Sequence, residues 1–408
     1  MCYKYRFGNT GKIEEKKAEE YCLKSCLNGS KFALGMQNLF GWQTEKNEKK
    51  AFEIFTEIVE NDPNCETKII KNSLFLLGRC YNNGEGCTKN LIKAMTYYEK
   101  SIALGNINAM YNLALVNEFG EGIPKNIRLA MQLYEKASNF NHLKAINNLS
   151  IIYYKGNEKE GIQINVEKSL ELIERAVEQE FPLSMSNLAF LIKDGNEKLG
   201  IKKDFNRAIQ LYHRASELNY ADAMNSLAII YKNGDKKNGF KKDVFKAIEL
   251  YERAIKLGEL KALYNLAIIY EKGDVDCKIE PDFIKCCSLL YQRFSSDDDK
   301  ASKRRFLYLI EKEQKNLVWR TDYHIYWKKD INLNKKINLI LLISKNRNVL
   351  SKDNSLIKHV FVKGISFEII KYLCHFSPCE TMKEDEKIPP PQKTPKNTPN
   401  NQKNCIIF

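Results

Sequence analysis

The chain has 408 residues and 43% of them are hydrophobic, so it is long enough for two or three domains or for one extended repeat array. Lys and Arg outnumber Asp and Glu by 65 to 51, and the formal charge of +14 favours anionic partners. Because this excess is spread along the chain, we expect an acidic protein or a membrane surface as partner and no nucleic acid.

We expect no secretory signal, since residues 1–31 are charged and contain no apolar segment. The longest apolar run, residues 337–343, is interrupted by Asn338 and is far too short to span a bilayer. We therefore predict an intracellular protein whose 12 irregularly spaced cysteines are reduced thiols. Within residues 1–29, a helical pattern over 12–27 predicts a capping helix or a half-repeat.

A repeated helical pattern covers most of the chain. One leucine marks the same position in successive copies, with steps of 36, 36, 39, 39 and 39 residues: Leu77, Leu113, Leu149, Leu188, Leu227 and Leu266. A small residue precedes each leucine by four positions and another follows it directly, which predicts a closely packed apolar stripe. A glycine seven positions after each leucine is expected to end the helix in a left-handed conformation: Gly84, Gly120, Gly156, Gly195, Gly234 and Gly273.

A second helix follows in every copy. An Asn or Asp precedes it and is expected to accept hydrogen bonds from its free amides: Asn90, Asn126, Asn165, Asp204, Asp243 and Asp282. Four positions later stands Ala, Ser or Cys, and four more bring a large side chain, most often Tyr. One helix pair cannot bury its own apolar face, so the copies must stack on one another.

An earlier copy, residues 33–59, is degraded. Its second helix fits the pattern through Asn47, Ala51 and Phe55, whereas the frame of its first helix is ambiguous. Residues 30–294 therefore contain about seven helix-pair repeats, and we predict an all-α fold, a right-handed α-solenoid.

This pattern resembles the Sel-1-like repeat family, whose copies read Ala-x-x-x-Leu-Gly, then Tyr, then Gly-x-Gly, then Asp-x-x-Lys-Ala. The period exceeds that of tetratricopeptide repeats, and the additional residues lie between the Gly and the Asn or Asp. Four copies have the family's Lys in the second helix: Lys93, Lys168, Lys246 and Lys285. Leu129 and Arg207 depart from it. The resemblance implies an α-solenoid whose first helices line a concave face that binds other proteins.

Residues 295–380 do not keep the repeat, and we predict a helical C-terminal cap that covers the last copy. The polar run 295–299 is expected to begin a helix at about 303–318, and further helices are predicted at about 333–344 and 366–375. A small ligand-binding module is the alternative interpretation of this segment.

The C-terminal tail has two parts. Residues 381–404 are rich in Pro, Lys and Asn, which predicts an extended, disordered linker. Residues 405–408 are a cysteine, two aliphatic residues and a final Phe, which is the pattern of a prenylation box that favours geranylgeranyl. We predict lipid attachment at Cys405, against the alternative that the apolar end arises by chance.

Lysines recur in the loops that join the paired helices: Lys89, Lys125, Lys202, Lys203, Lys241 and Lys242. Stacking would bring these loops to one edge, where a basic ridge could contact acidic lipids. The alternative is that the lysines are solvated loop charges.

The sequence contains no recognisable catalytic or cofactor motif. We find no His-Glu-x-x-His, no nucleophile elbow and no phosphate loop. Cys374, His375 and Cys379 lack the second cysteine pair of a zinc site, and the Gly-Glu-Gly triplets at 84–86 and 120–122 are explained as helix ends. We therefore predict no enzymatic activity, no cofactor and no metal.

These features together predict a non-catalytic scaffold or adaptor that binds proteins on its concave face and is tethered to the cytosolic face of a membrane. Repeats with a C-terminal prenylation box are similar in architecture to the fungal activator of chitin synthase, which implies that the chain recruits or activates a membrane polysaccharide synthase. The alternative is a soluble adaptor in complex assembly, signalling or degradation. The partner and the oligomeric state stay open.

Overall fold

A computed structural model describes residues 15–61, 66–120, 122–297 and 299–309. Contacts within the chain divide these residues into two compact units, unit 1 up to Leu218 and unit 2 from Asn219 onward. The tail with Cys405 and the helices predicted at 333–344 and 366–375 lie outside the described residues.

Both units are built from α-helices joined by short loops. Unit 1 contains α1 (Glu15–Leu27), α2 (Lys31–Phe40), α3 (Glu48–Asn61), α4 (Thr67–Asn83), α5 (Leu91–Ala103), α6 (Ile107–Phe119), α7 (Ile127–Asn139), α8 (Leu143–Lys155), α9 (Val166–Val177), α10 (Pro182–Asp194) and α11 (Phe205–Glu217). Unit 2 contains α12 (Ala221–Asn233), α13 (Val244–Lys256), α14 (Leu260–Lys272), α15 (Phe283–Asp297) and a last helical segment over residues 300–309. None of the described helices combines the length and apolar character that a membrane crossing requires.

The helices pair as the repeat predicts. The first helices of successive copies are α2, α4, α6, α8, α10, α12 and α14, and the helix that follows each one is its partner. Within each unit, a first helix packs against its own partner and against the second helix of the copy before it. The prediction of an all-α solenoid of helix-pair repeats is therefore confirmed.

The small residue after each leucine allows the two helices of a pair to approach closely. A Cβ added to Gly78 would lie only 2.6 Å from Cδ1 of Tyr98, whose side chain is completely buried. The same position is alanine in α6, α10, α12 and α14, and each of these alanines is completely buried. A larger side chain there would have to push the paired helices apart.

The earliest copy has one clear frame in the structure. A Cβ added to Gly35 would lie 2.6 Å from the ring of Phe55, so Leu34 occupies the leucine position and Gly41 is the terminal glycine. Asn47 accepts a hydrogen bond at 2.9 Å from an amide in the first turn of α3. The ambiguity of the sequence pattern for α2 is thereby removed.

The predicted N-terminal caps of the remaining second helices are confirmed. Each side chain accepts a hydrogen bond from the backbone amide three residues later, at 2.9 to 3.0 Å: Asn90, Asn126, Asn165, Asp204, Asp243 and Asp282. Such a cap stabilises a helix by about 1 kcal/mol.

The terminal glycines adopt two conformations, which corrects the prediction that all of them are left-handed. Gly84 and Gly120 are left-handed, with ψ of 26° and 34°. The other four combine φ of 62–66° with ψ close to 180°: Gly156, Gly195, Gly234 and Gly273. This region is essentially restricted to glycine. The extended ψ is needed because the longer loop first forms an isolated β-bridge, such as Asn157 with Ile162, before the second helix begins.

The polar run at 295–299 differs from the prediction. Residues 295–297 belong to α15, and the next helical segment begins at residue 300 instead of about 303. Asp299 alone caps that segment, because its carboxylate accepts a hydrogen bond from the Ser302 amide at 2.9 Å. The rest of the predicted C-terminal cap, from residue 310 onward, lies outside the described residues.

Candidate functional site

One position of the first helices stays partly open while its neighbours are buried. We call it the open register; it lies two residues after the leucine and is apolar in five successive copies: Leu115, Ile151, Phe190, Ile229 and Ile268. Phe190 in unit 1 is 47% exposed and Ile229 in unit 2 is 36% exposed, whereas the residue before each of them is completely buried. Ile151 is the exception among these five, with 3% exposure, and Met36 at the same position of α2 is completely buried. In α4 the position is Arg79, which forms an ion pair with Glu85 at 2.8 Å.

Polar contacts between neighbouring first helices hold the open register of unit 1 in place. The Asn147 side chain of α8 is completely buried. Its Oδ1 accepts hydrogen bonds from the Ser184 hydroxyl at 3.0 Å and from the Asn187 amide at 2.9 Å, both in α10. Because these buried groups need their partners, α8 and α10 are fixed in one relative position.

A second polar network joins α6, α7 and α8. The Tyr134 hydroxyl donates to the Glu118 carboxylate at 2.7 Å and accepts from the Asn148 amide at 3.1 Å. Burial raises the pKa of Glu118, and the hydrogen bond from Tyr134 opposes that rise. The network therefore places the partly desolvated Glu118 carboxyl group beside the side of unit 1 that its first helices form. We call the corresponding side of either unit its first-helix side.

Unit 2 has corresponding contacts between α12 and α14. The Asn265 amide donates to Asn225 at 2.9 Å, and the Lys261 ammonium lies 3.5 Å from Asp222. The Glu259 carboxyl accepts a hydrogen bond from the Lys261 amide at the start of α14. Burial, followed by the nearby Asp222 carboxylate, raises the pKa of Glu259 to about 7.

The family's lysine has a defined partner in the structure. Each of the four lysines lies over the ring of a tyrosine in its own first helix, at 4.2 to 5.4 Å from the centroid: Lys93 over Tyr81, Lys168 over Tyr153, Lys246 over Tyr231 and Lys285 over Tyr270. The two copies without this lysine also lack the tyrosine, since Leu129 goes with Asn117 and Arg207 with Ile192. The pair is thus a contact between paired helices. The earliest copy has the lysine, Lys50, without the tyrosine, since Asn38 stands at that position.

The residues that the sequence singled out occupy the interior and the helix ends. The six leucines are at most 4% exposed, and the six glycines each end a first helix. Among the loop lysines, Lys242 forms an ion pair with Asp276 at 3.1 Å, and the other five are exposed. Cys405 lies outside the described residues.

The buried titratable groups of the repeats have packing partners. Burial raises the pKa of the Cys80 and Cys286 thiols to about 12 and lowers the pKa of His142 to about 4. His142 Nδ1 accepts the Ala145 amide as an N-terminal cap of α8. In the part of the chain that the structure describes, no group of three His, Cys, Asp or Glu side chains is arranged to hold a metal ion. What the arrangement provides is apolar surface on rigid helices with fixed polar groups beside it.

Sequence reasoning missed the open register, because an apolar residue there looks like one more core residue. In α10, Leu188, Ala189 and Leu191 already fill the buried side of the helix, so Phe190 is an additional apolar residue on another side. The sequence signal that could have revealed it is the recurrence of this additional apolar residue in successive copies.

The profile of the Sel1 repeat matches seven segments of the chain: residues 30–61, 72–106, 107–139, 143–181, 182–220, 221–259 and 260–292. Among solved structures, the chain is similar to a Sel1 repeat protein from Oxalobacter formigenes, with 27% identity, a TM-score of 0.52 and coverage of 64% of this chain and 96% of that chain. It is also similar to a protective antigen of uropathogenic Escherichia coli with an SLR fold, with 18% identity, a TM-score of 0.48 and coverage of 91% and 81%. No curated protein matches the sequence.

Proposed function

We propose that the chain, which belongs to the Sel1 repeat family, is a non-catalytic scaffold that binds protein partners on the first-helix side of its repeats. Sel1 repeat proteins are typically protein–protein interaction scaffolds, and their fold is generally non-enzymatic. The observation that carries the proposal is the open register, where apolar side chains stay exposed although the residues before them are buried.

The open register suits recognition because its side chains stand on a rigid support. Phe190 lies on α10, which the buried Asn147 contacts tie to α8. A partner that covers Phe190 would gain apolar burial without first ordering a loop, so little of the binding free energy would be lost to ordering. An aromatic side chain beside fixed polar groups is typical of the residues that dominate protein interfaces.

We further propose that lipid attachment at Cys405 places this scaffold on the cytosolic face of a membrane. The support is the prenylation pattern of residues 405–408 behind the Pro- and Lys-rich linker 381–404. One prenyl group holds a protein only reversibly, and each linker lysine near an anionic surface would add about 1 kcal/mol. The specific case that we propose is recruitment or activation of a membrane polysaccharide synthase such as chitin synthase, and the alternative is a soluble adaptor in complex assembly, signalling or degradation.

The binding face is tested with two Phe-to-Asp variants of the full chain in its own cells. Phe190→Asp changes the open register, whereas Phe140→Asp changes a phenylalanine that is 57% exposed at the end of the second helix α7. Affinity purification with quantitative mass spectrometry should show that Phe190→Asp lowers recovery of protein partners by about tenfold or more. Equal recovery with both variants would contradict the proposed face.

The tether is tested by Cys405→Ser. Membrane fractionation should move the variant to the supernatant, and mass spectrometry of the parent's C-terminal peptide should show the prenyl mass on Cys405. A variant that sediments with membranes as the parent does would leave the soluble-adaptor alternative in place.

A further inference from the structure

Residues 299–309 continue the repeat beyond the segments that match the family profile, which end at residue 292. Asp299 caps the helical segment seven positions before Phe306, which is the distance from the N-terminal cap to the leucine in α6, α8, α10, α12 and α14. Ser302 stands four positions before Phe306, as the small residue does before each leucine. Ser302 and Phe306 are both completely buried. The segment over 300–309 therefore has the register of a first helix, with Leu307 in place of the small residue that follows each leucine.

This alignment places one more residue, Tyr308, at the open-register position in unit 2. Tyr308 lies two positions after Phe306 and is 42% exposed, which is comparable to the 36% exposure of Ile229 in α12. Ile268 of α14 is half-buried. Side-chain contacts join the three helices in order. Asn265 of α14 bonds to α12, and Arg305 Nε donates to Glu271 of α14 at 2.9 Å.

The charges around these three residues are unbalanced. Two of the acids on this side have basic partners, since Glu271 is paired with Arg305 and Asp222 lies beside Lys261. The third, Glu259, has a pKa that burial raises to about 7, which reduces its negative charge. Lys232 and Lys272 lie five and six positions after the leucines of α12 and α14, and within the described residues neither has an acidic partner.

Lys232 is also partly removed from water. It is half-buried, and burial, followed by the nearby Lys272 ammonium, lowers the pKa of Lys232. An ammonium that has lost hydration without gaining a counter-ion is left in an unfavourable state, which a bound carboxylate would relieve.

Unit 1 does not repeat this arrangement. In α6, α8 and α10 its counterparts to Lys232 are Glu118, which accepts from Tyr134, then Tyr154, and then Lys193, which forms an ion pair with Asp194 at 2.9 Å. Lys155, the counterpart of Lys272 in α8, interacts with the Glu118 carboxylate. The excess of unpaired positive charge beside the open register is therefore a property of unit 2 among the described residues.

We infer that the first-helix side of unit 2 binds an acidic segment of a partner protein, with apolar side chains on Ile229, Ile268 and Tyr308 and carboxylates at Lys232 and Lys272. The inference rests on the proposed scaffold function and names the chemistry of its partner. Packed helices lie about 8–10 Å apart, and a polyproline II chain advances about 3.1 Å per residue with three residues per turn. Residues at every third position of such a segment therefore lie on one side at the helix spacing, and these are the apolar residues.

The test uses the full chain and a fluorescent synthetic peptide in which Leu stands at every third position and Asp at the others. Fluorescence anisotropy should show saturable binding that weakens as salt is added. Replacing both lysines, Lys232→Met with Lys272→Met, should weaken binding by about tenfold or more. Lys256→Met, which removes an exposed charge from the second helix α13 of the same unit, should leave the affinity unchanged.

Three results of the peptide experiment and one of a vesicle experiment would overturn the inference. The first three concern the peptide. They are no binding of the Asp peptide, equal binding of a peptide with Lys in place of Asp, and equal affinity for the lysine variant and the parent. A fourth is that vesicles containing phosphatidylserine bind the chain through Lys232 and Lys272 while the Asp peptide does not, which would assign the face to lipid. If the peptide fails but Phe190→Asp still abolishes partner recovery, the scaffold function stands and only the acidic partner is wrong.

Discussion

Ala189 and Phe190 are neighbours in α10, yet the first is completely buried and the second is 47% exposed. Ala228 and Ile229 repeat the contrast in α12. The buried position faces the partner helix and is Gly, Ala or Ser in all seven helix pairs, because two helices must pass close to each other there. The open register carries no such restriction, and its residue changes from copy to copy. The buried positions thus specify the fold, and the open register is available for recognition of a partner.

The largest effect is expected where a bulky side chain is placed in the interior. Ala189→Leu adds three carbons to a fully buried position and should lower the free energy of unfolding by about 3 kcal/mol. The matched change one residue later, Phe190→Leu, should cost less than about 1 kcal/mol because that side chain is half in solvent. Urea unfolding followed by circular dichroism measures both, and similar losses would remove the distinction between the two sides.

The terminal glycines differ between short and long loops in the backbone conformation that they need. In Gly195→Ala the new Cβ would lie 2.8 Å from the Lys203 amide, with φ and ψ that alanine rarely adopts, so a loss of about 2 kcal/mol is expected. Gly84→Ala is the control, because its Cβ would meet nothing closer than 3.5 Å and it has the milder left-handed conformation. Its cost should be about 1 kcal/mol. Thermal melts that rank the two variants in the reverse order would contradict the two glycine conformations.

A smaller effect is expected from pH at the first-helix side of unit 2. The pKa of Glu259 is raised to about 7, so folding favours the protonated carboxyl. This contribution to stability is complete at pH values below the ordinary glutamate range and is lost as the pH rises through about 7. Stability should fall between about pH 5 and pH 8, and Glu259→Gln should remove that component. A variant with the same pH dependence as the parent would show that another group is responsible.

The sequence was sufficient to predict the interior of the repeats and insufficient to predict the open register. The leucines, the Asn or Asp caps and the lengthened loops follow from period and chemistry, because each must be satisfied in every copy. The extended ψ of Gly195 could not be predicted, since φ > 0 favours glycine in both conformations. The register of 299–309 was missed because Phe306 replaces the leucine and a polar run precedes it.

The binding side illustrates a different limit. Phe190 reads as a core residue until the packing of α10 shows that the buried side is already filled by its neighbours. The state of Lys232 likewise depends on burial and on Lys272, which is 40 positions away along the chain. Such pairings arise from stacking between copies, so the pattern within one copy does not contain them.

Photo-crosslinking from the open register shows directly which side of the repeats contacts partner proteins. A photoreactive phenylalanine analogue is introduced at Phe190 or at Phe140, an exposed position outside the first helices, and the full chain is irradiated in its own cells. We expect discrete protein adducts from Phe190 and none from Phe140. Adducts of equal yield and identity from both positions, or adducts from Phe140 alone, would contradict the claim that the first-helix side is where partners bind.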